Sequence, residues 1–260
     1  MKRWLAAGAV TGWLIVPAGA ARADHDMAMS GHQHADAPAV SIGVAVQAAE
    51  FETMSYVGSY QSIAPTVAWM HGWFGANATL GLYHLDENGR GTYGMGDAML
   101  GAHAAVIRRG EAEAGVALHV MLPTGSEVDN LGMGHVMVMP ALWGAWQGGR
   151  LGASASAGYA RALTSLDGAH HDHGPTPLVD PMNLQELTWS VAADVEVGHH
   201  VRLGGRAQGG VPIGDGRTRV ISGGRVAWGM ARVSTAFELQ VGLAGDPFTV
   251  RGVLETALRF

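Results

Sequence analysis

Apolar and polar residues alternate with period two through most of the chain after residue 38. In the cleanest run, Leu187, Trp189, Val191, Ala193, Val195 and Val197 alternate with Thr188, Ser190, Ala192, Asp194 and Glu196. Such alternation puts the two sets on opposite faces of a β-strand. Val40, Ile42, Val44 and Val46 alternate with Ser41, Gly43, Ala45 and Gln47 in the first such segment. A loop holding Tyr56 and Tyr60 is expected next, then a segment over 62–71 and its return over 76–85, ending in the turn-rich DENGRGTYG. Three segments follow between Gly96 and Pro140. Their odd faces carry Asp97, Met99 and His103, then His119 and Met121, then His135, Met137 and Met139. Their even faces carry Ala98, Leu100, Ala102, Ala104, Val106, Val116, Leu118, Val120 and Leu122.

Further alternating segments run over 151–162, from Val201 to Val211, around Val226 to Met230, from Phe237 to Leu243 and from Phe248 to Phe260. In the last, Phe248, Val250, Leu254, Leu258 and Phe260 share one parity. The total is twelve segments of about nine to thirteen residues, joined alternately by tight turns and longer loops. The even count, strand length and loop rhythm predict an antiparallel up-and-down transmembrane β-barrel spanning residues 39–260. Trp73, Trp143, Trp146 and Trp228 fall near one set of strand ends, and Tyr83 and Tyr159 near the other, as aromatic girdles would. A secreted β-sandwich alternates too, but it requires neither this strand length nor a terminal aromatic.

The first residues set the compartment. Lys2 and Arg3 precede an apolar run from Trp4 to Val16, and Ala21-Arg22-Ala23 offers a small-x-small cleavage site. Residues 1–23 are therefore expected to be a signal peptide cleaved after Ala23, delivering the chain to the bacterial outer membrane. There its partners are membrane lipid and the barrel-assembly machinery, which the terminal Phe260 would engage. Loss of Lys2, Arg3 and Arg22 leaves 13 arginines against 22 acidic residues, a formal charge of −9. Nothing in that charge favours nucleic acid. Cysteine is absent, which excludes a disulfide scaffold.

The segment 24–38, DHDMAMSGHQHADAP, is expected to be a disordered periplasmic tail, and His25, Met27, Met29, His32 and His34 crowd into it. The 163–183 loop carries His170, His171 and His173. Together with Met99, His103, His119, Met121, His135, Met137 and Met139, these residues are candidate ligands for a soft or borderline ion such as copper. The turn at Arg109-Gly110 would set Met99 opposite His119 or Met121 and His103 diagonally close to His119, with Met121 near His135 or Met137. Met70 shares the inward parity of its own segment and extends the row. The competing reading is that methionine fills a narrow lumen while histidines join hydrogen-bond networks.

GMGDAMLGAHAAVI (Gly94 to Ile107), followed by a strand ending LPTGS (Leu122 to Ser126), resembles the outer-membrane proteins of the meta-pathway phenol-degradation family. The resemblance extends over about residues 69–146. It implies a barrel channel passing small hydrophobic or aromatic compounds.

Three functions are thus in play: an outer-membrane channel or binding protein handling copper as ligand or cargo, a passive channel for small organic compounds, and a non-conducting barrel plugged by charges. Arg202, Arg206, Arg225, Glu238, Glu255 and Arg259 are expected to form a salt-bridged lining for that lumen. Barrel hydrolase chemistry lacks support: no G-x-S-x-G is present, and neither Ser190 nor Ser222 has a histidine nearby on its strand.

Overall fold

The computed structural model describes residues 39–52, 57–163, 179, 182–198, 200–230, 232–245 and 248–260. The expected signal peptide and tail, and most of the 163–183 loop, lie outside them. The strands in chain order are β1 (Ala39–Glu52), β2 (Val57–His71), β3 (Phe74–Thr79), β4 (Leu82–Glu87), β5 (Arg90–Met95), β6 (Ala98–Arg109) and β7 (Ala112–Leu122). They continue with β8 (Met137–Gly148), β9 (Leu151–Ala162), β10 (Gln185–Gly198), β11 (Val201–Pro212), β12 (Arg219–Gly229), β13 (Val233–Ala244) and β14 (Phe248–Arg259). All are paired antiparallel. β1 joins β14 from Ser41 opposite Arg259 to Phe51 opposite Phe248, and it meets β2 at Ala39 opposite Met70 and Glu52 opposite Val57. The sheet therefore closes on itself between β1 and β2.

Fourteen strand segments make twelve staves. β3 and β4 are two halves of one stave. β3 pairs with the lower part of β2, and β4 with the upper part. The break at Leu80-Gly81 faces Pro65, which has no N–H to offer the ladder. β5 and β6 are likewise one stave, broken at Gly96-Asp97. DENGRGTYG is thus mostly strand. Only Asn88 and Gly89, both at positive φ (52° and 81°), make the turn, as a two-residue hairpin favours. Tyr60, expected in a loop, lies within β2 and is fully buried.

Parity does most of the sorting. Val44, Val67, Leu118, Leu142, Val191, Leu203, Phe237, Leu239 and Leu254 are exposed on the outside and form an apolar belt suited to lipid. Trp73, Trp146 and Trp228 are also exposed there. Trp143 and Tyr83 are not girdle residues: both are buried inside the barrel. Trp143 has the odd parity of Met137 and Met139, and its indole N–H donates to the Val116 carbonyl at 3.2 Å. Phe248 also points inward, because a register shift at Glu50/Phe51 adds a residue and reverses parity at the top of β14. A second shift, between Ala105 and Ile107, leaves both Val106 and Ile107 exposed outside.

Ala39, Phe260 and the turns at Gly72, Gly110 and Gly149 lie at one end of the barrel, and loop 123–136, segment 213–218 and the Asn88-Gly89 turn lie at the other, the loop end. At the loop end, β7 stops at Leu122, opposite Ala98, so β5 has no strand on that side. Loop 123–136 fills the position. Its Leu131 is buried with Tyr60, Tyr83, Leu85, Phe51 and Phe248, joined by Val179 and Ile221. This apolar cluster occupies the loop-end mouth.

Candidate functional site

The interior has two unlike walls. Along β10 to β14 it is ionic. Arg202 pairs with Asp194, and with Glu196 at 3.8 Å; Arg206 reaches Glu238 at 3.7 Å. Arg225 lies 3.3 Å from Glu255 and 4.0 Å from Glu238. Arg251 donates to Gln240 at 2.6 Å, and Gln240 in turn donates to Glu238 at 2.6 Å. Arg202, Arg206, Arg225, Glu238 and Glu255 of the expected salt-bridged lining are joined here, with Asp194 and Glu196 as further members. Arg219 and Glu186, buried and 2.5 Å apart, complete this wall near the loop end.

Across the lumen, β6 to β9 present almost no charge. Register sets Met99 opposite Met121, and Met121 opposite Met137, so three methionines form a ladder across three strands. In the next row Gly101 faces His119, and His119 faces Met139. Met99, Met121, Met137 and Met139 pack with Met133, Met182, Ala160 and Ala162 in one buried cluster. Met133 and Met182 lie outside the strands, so no strand periodicity marks them. Further from the loop end, Ala105, Ala117 and Trp143 form a second apolar cluster, flanked by Ala145. His103 stands between the clusters, edge-on to Trp143 at 6.3 Å. This wall is thus apolar and soft over most of its length, with imidazoles at its middle.

Of the expected ligands, the fold brings together Met99, His103, His119, Met121, Met137 and Met139. His135 departs from expectation: it precedes β8 in the loop, where its charge acts on Asp97. His25, Met27, Met29, His32, His34, His170, His171 and His173 lie outside the described residues. Among the described residues, no group of three or more His, Cys, Asp or Glu is placed to hold a metal ion.

Asp97 takes a different role from that expected of a strand-face residue. It sits at the rim, in the break between β5 and β6. One carboxylate oxygen accepts the Gly125 N–H at 2.9 Å, and the other accepts the Met133 N–H at 2.7 Å. Thr124 completes the junction: its hydroxyl donates to the Gly96 carbonyl and accepts the Ala98 N–H, both at 2.8 Å. GMGD and LPTGS are therefore the two halves of one clasp. Burial raises the Asp97 carboxyl above its ordinary pKa, while the Met133 and Gly125 amides and the nearby His135 act against that rise.

No family model and no curated protein matches the sequence. Solved structures do match in fold. An outer membrane channel from Pseudomonas putida F1 superimposes with a TM-score of 0.64 at 13% identity, covering 89% of this chain and 100% of that one. A KdgM porin in complex with disordered oligogalacturonate gives 0.58 at 7% identity, covering 85% of this chain and 99% of that one. The NanC porin gives 0.56 at 7% identity, covering 84% and 98%.

Proposed function

We propose that this chain is a passive channel of the bacterial outer membrane for small hydrophobic or aromatic compounds. The observation that carries the reading is the apolar wall of β6 to β9. It runs from the methionine cluster through His103 to the alanine and tryptophan cluster, facing an ionic wall whose arginines are engaged by carboxylates and a glutamine. Paired charges attract anions weakly, so this lumen is poorly matched to an acidic cargo. A ring bearing one polar group fits better. Its face lies on Ala, Met and Trp, and its hydroxyl or carbonyl reaches the fixed dipoles opposite. The outward apolar belt and the resemblance of the GMGD and LPTGS segments favour the same reading.

Uptake of a labelled phenol-class solute by cells lacking the gene, complemented with wild type or variants, tests it. Ala117→Leu and Ala141→Leu add bulk to the apolar wall and are expected to reduce uptake several-fold, while heat-modifiable gel mobility stays native. Wild-type complementation that takes up no more solute than the empty vector would refute the reading.

A further inference from the structure

The lumen wall holds two rows in which long side chains converge over a glycine. In one row Met70 on β2 faces Gly75, and Gly75 faces His103 on β6. Gly75 has no side chain to keep its neighbours apart. Met70 Sδ lies 2.4 Å, and His103 Nε2 2.5 Å, from the position a Cβ would take there, so thioether and imidazole meet over the gap. In the adjacent row Asn77 faces Gly101, and Gly101 faces His119. Asn77 Oδ1 and His119 Nδ1 converge over Gly101 in the same way, at 2.4 and 2.9 Å from its would-be Cβ. His119 is the diagonal neighbour of His103, near enough for their charges to interact. His119 Nε2 is buried with no hydrogen-bond partner, an arrangement that disfavours mere packing as its role. Met139 lies directly across from His119 on β8.

We infer that Met70, His103 and His119 form a soft-metal site in the lumen wall, with Met139 as a further sulfur donor, and that its ion is Cu(I). Thioether sulfur with imidazole selects Cu(I) over the harder divalent ions, and a site without cysteine keeps its donors in an oxidising compartment. Glu113, the carboxylate whose charge reaches His103, is engaged 3.4 Å from Arg108. The donor set is therefore neutral, as a monovalent soft ion prefers. Cu(I) binding and solute flux are separate measurements, so either reading can fail alone.

The test is competition titration of full-length protein in detergent with a chromophoric Cu(I) chelator. Wild type is compared with Met70→Leu and with a His103→Ala/His119→Ala double variant, all checked for heat-modifiable mobility. The double variant is expected to lose one high-affinity equivalent, whatever the tail binds. Met70→Leu is expected to weaken that equivalent by at least ~100-fold, beyond the roughly 10- to 100-fold that losing an outer partner costs. Equal stoichiometry and affinity in all three proteins would overturn the inference. If the double variant fails to fold, Met70→Leu decides alone, and unchanged Cu(I) affinity in it overturns the site.

Discussion

Asp97→Ala is expected to give frequent, larger openings if the barrel conducts as proposed. The Asp97 carboxylate accepts the Gly125 and Met133 N–H groups at 2.9 and 2.7 Å, and these bonds hold loop 123–136 against the open side of β5. The same loop delivers Leu131 to the aromatic cluster at the mouth and Met133 to the methionine cluster. A hydrogen bond to a charged group contributes roughly 1.5–3 kcal/mol, so losing even one raises the released population about tenfold or more. Planar-bilayer recordings should show a higher mean conductance and larger open-state noise. Asp97→Asn keeps one acceptor oxygen and should fall between wild type and alanine. Thr124→Val loosens the other half of the clasp and should shift conductance in the same direction. Recordings of Asp97→Ala identical to wild type would show that the loop is held in place without the Asp97 carboxylate.

The largest loss of stability is expected at Glu186. It is 0% exposed, pairs with Arg219 at 2.5 Å and accepts the Asn183 amide at 2.6 Å. Asn183 in turn donates to the Arg217 carbonyl and accepts the Arg217 N–H, both at 3.0 Å, so one carboxylate ties β10 to the β11–β12 loop. Glu186 reaches Arg219 across β11, over Gly210, where a Cβ would lie 2.6 Å from its carboxyl oxygen. Glu186→Ala strands a buried guanidinium, a loss of about 3–5 kcal/mol. The midpoint of heat modification on gels should fall sharply. A Glu186→Leu/Arg219→Met double variant, apolar at both sites, should recover most of that fall. Additive losses in the double variant would show that the two residues are not coupled.

Much of the barrel was legible because a closed sheet obeys a rule of period two. The inward positions of Met70, Met99, His103, His119, Met121, Met137 and Met139 follow from parity. The observed pairing of Met99 with Met121 is one of the two registers that the tight turn at Arg109-Gly110 allowed. Where an extra residue enters a strand, parity flips, and Phe248 was misplaced for that reason. Trp143 is a different case. Its odd number already placed it with Met137 and Met139, and nearness to a strand end was a weaker guide than parity. Loop residues have no period, so Leu131, Met133, Val179 and Met182 could not be assigned to the lumen from the sequence. The pairs that meet across an intervening strand, Met70 with His103 and Glu186 with Arg219, needed three strands in register and a glycine between them.

The two walls also differ mechanically. One is braced by a mesh of ion pairs and amide hydrogen bonds that fixes its arginines. The other is surfaced by thioether chains with several low-barrier torsions, backed by alanine and glycine. A lumen built this way yields on one side only. On the proposed channel reading its size limit would be a compliance rather than a radius: a solute would pass by bending methionines aside, and bulkier solutes would face a steeper elastic penalty instead of a fixed cut-off.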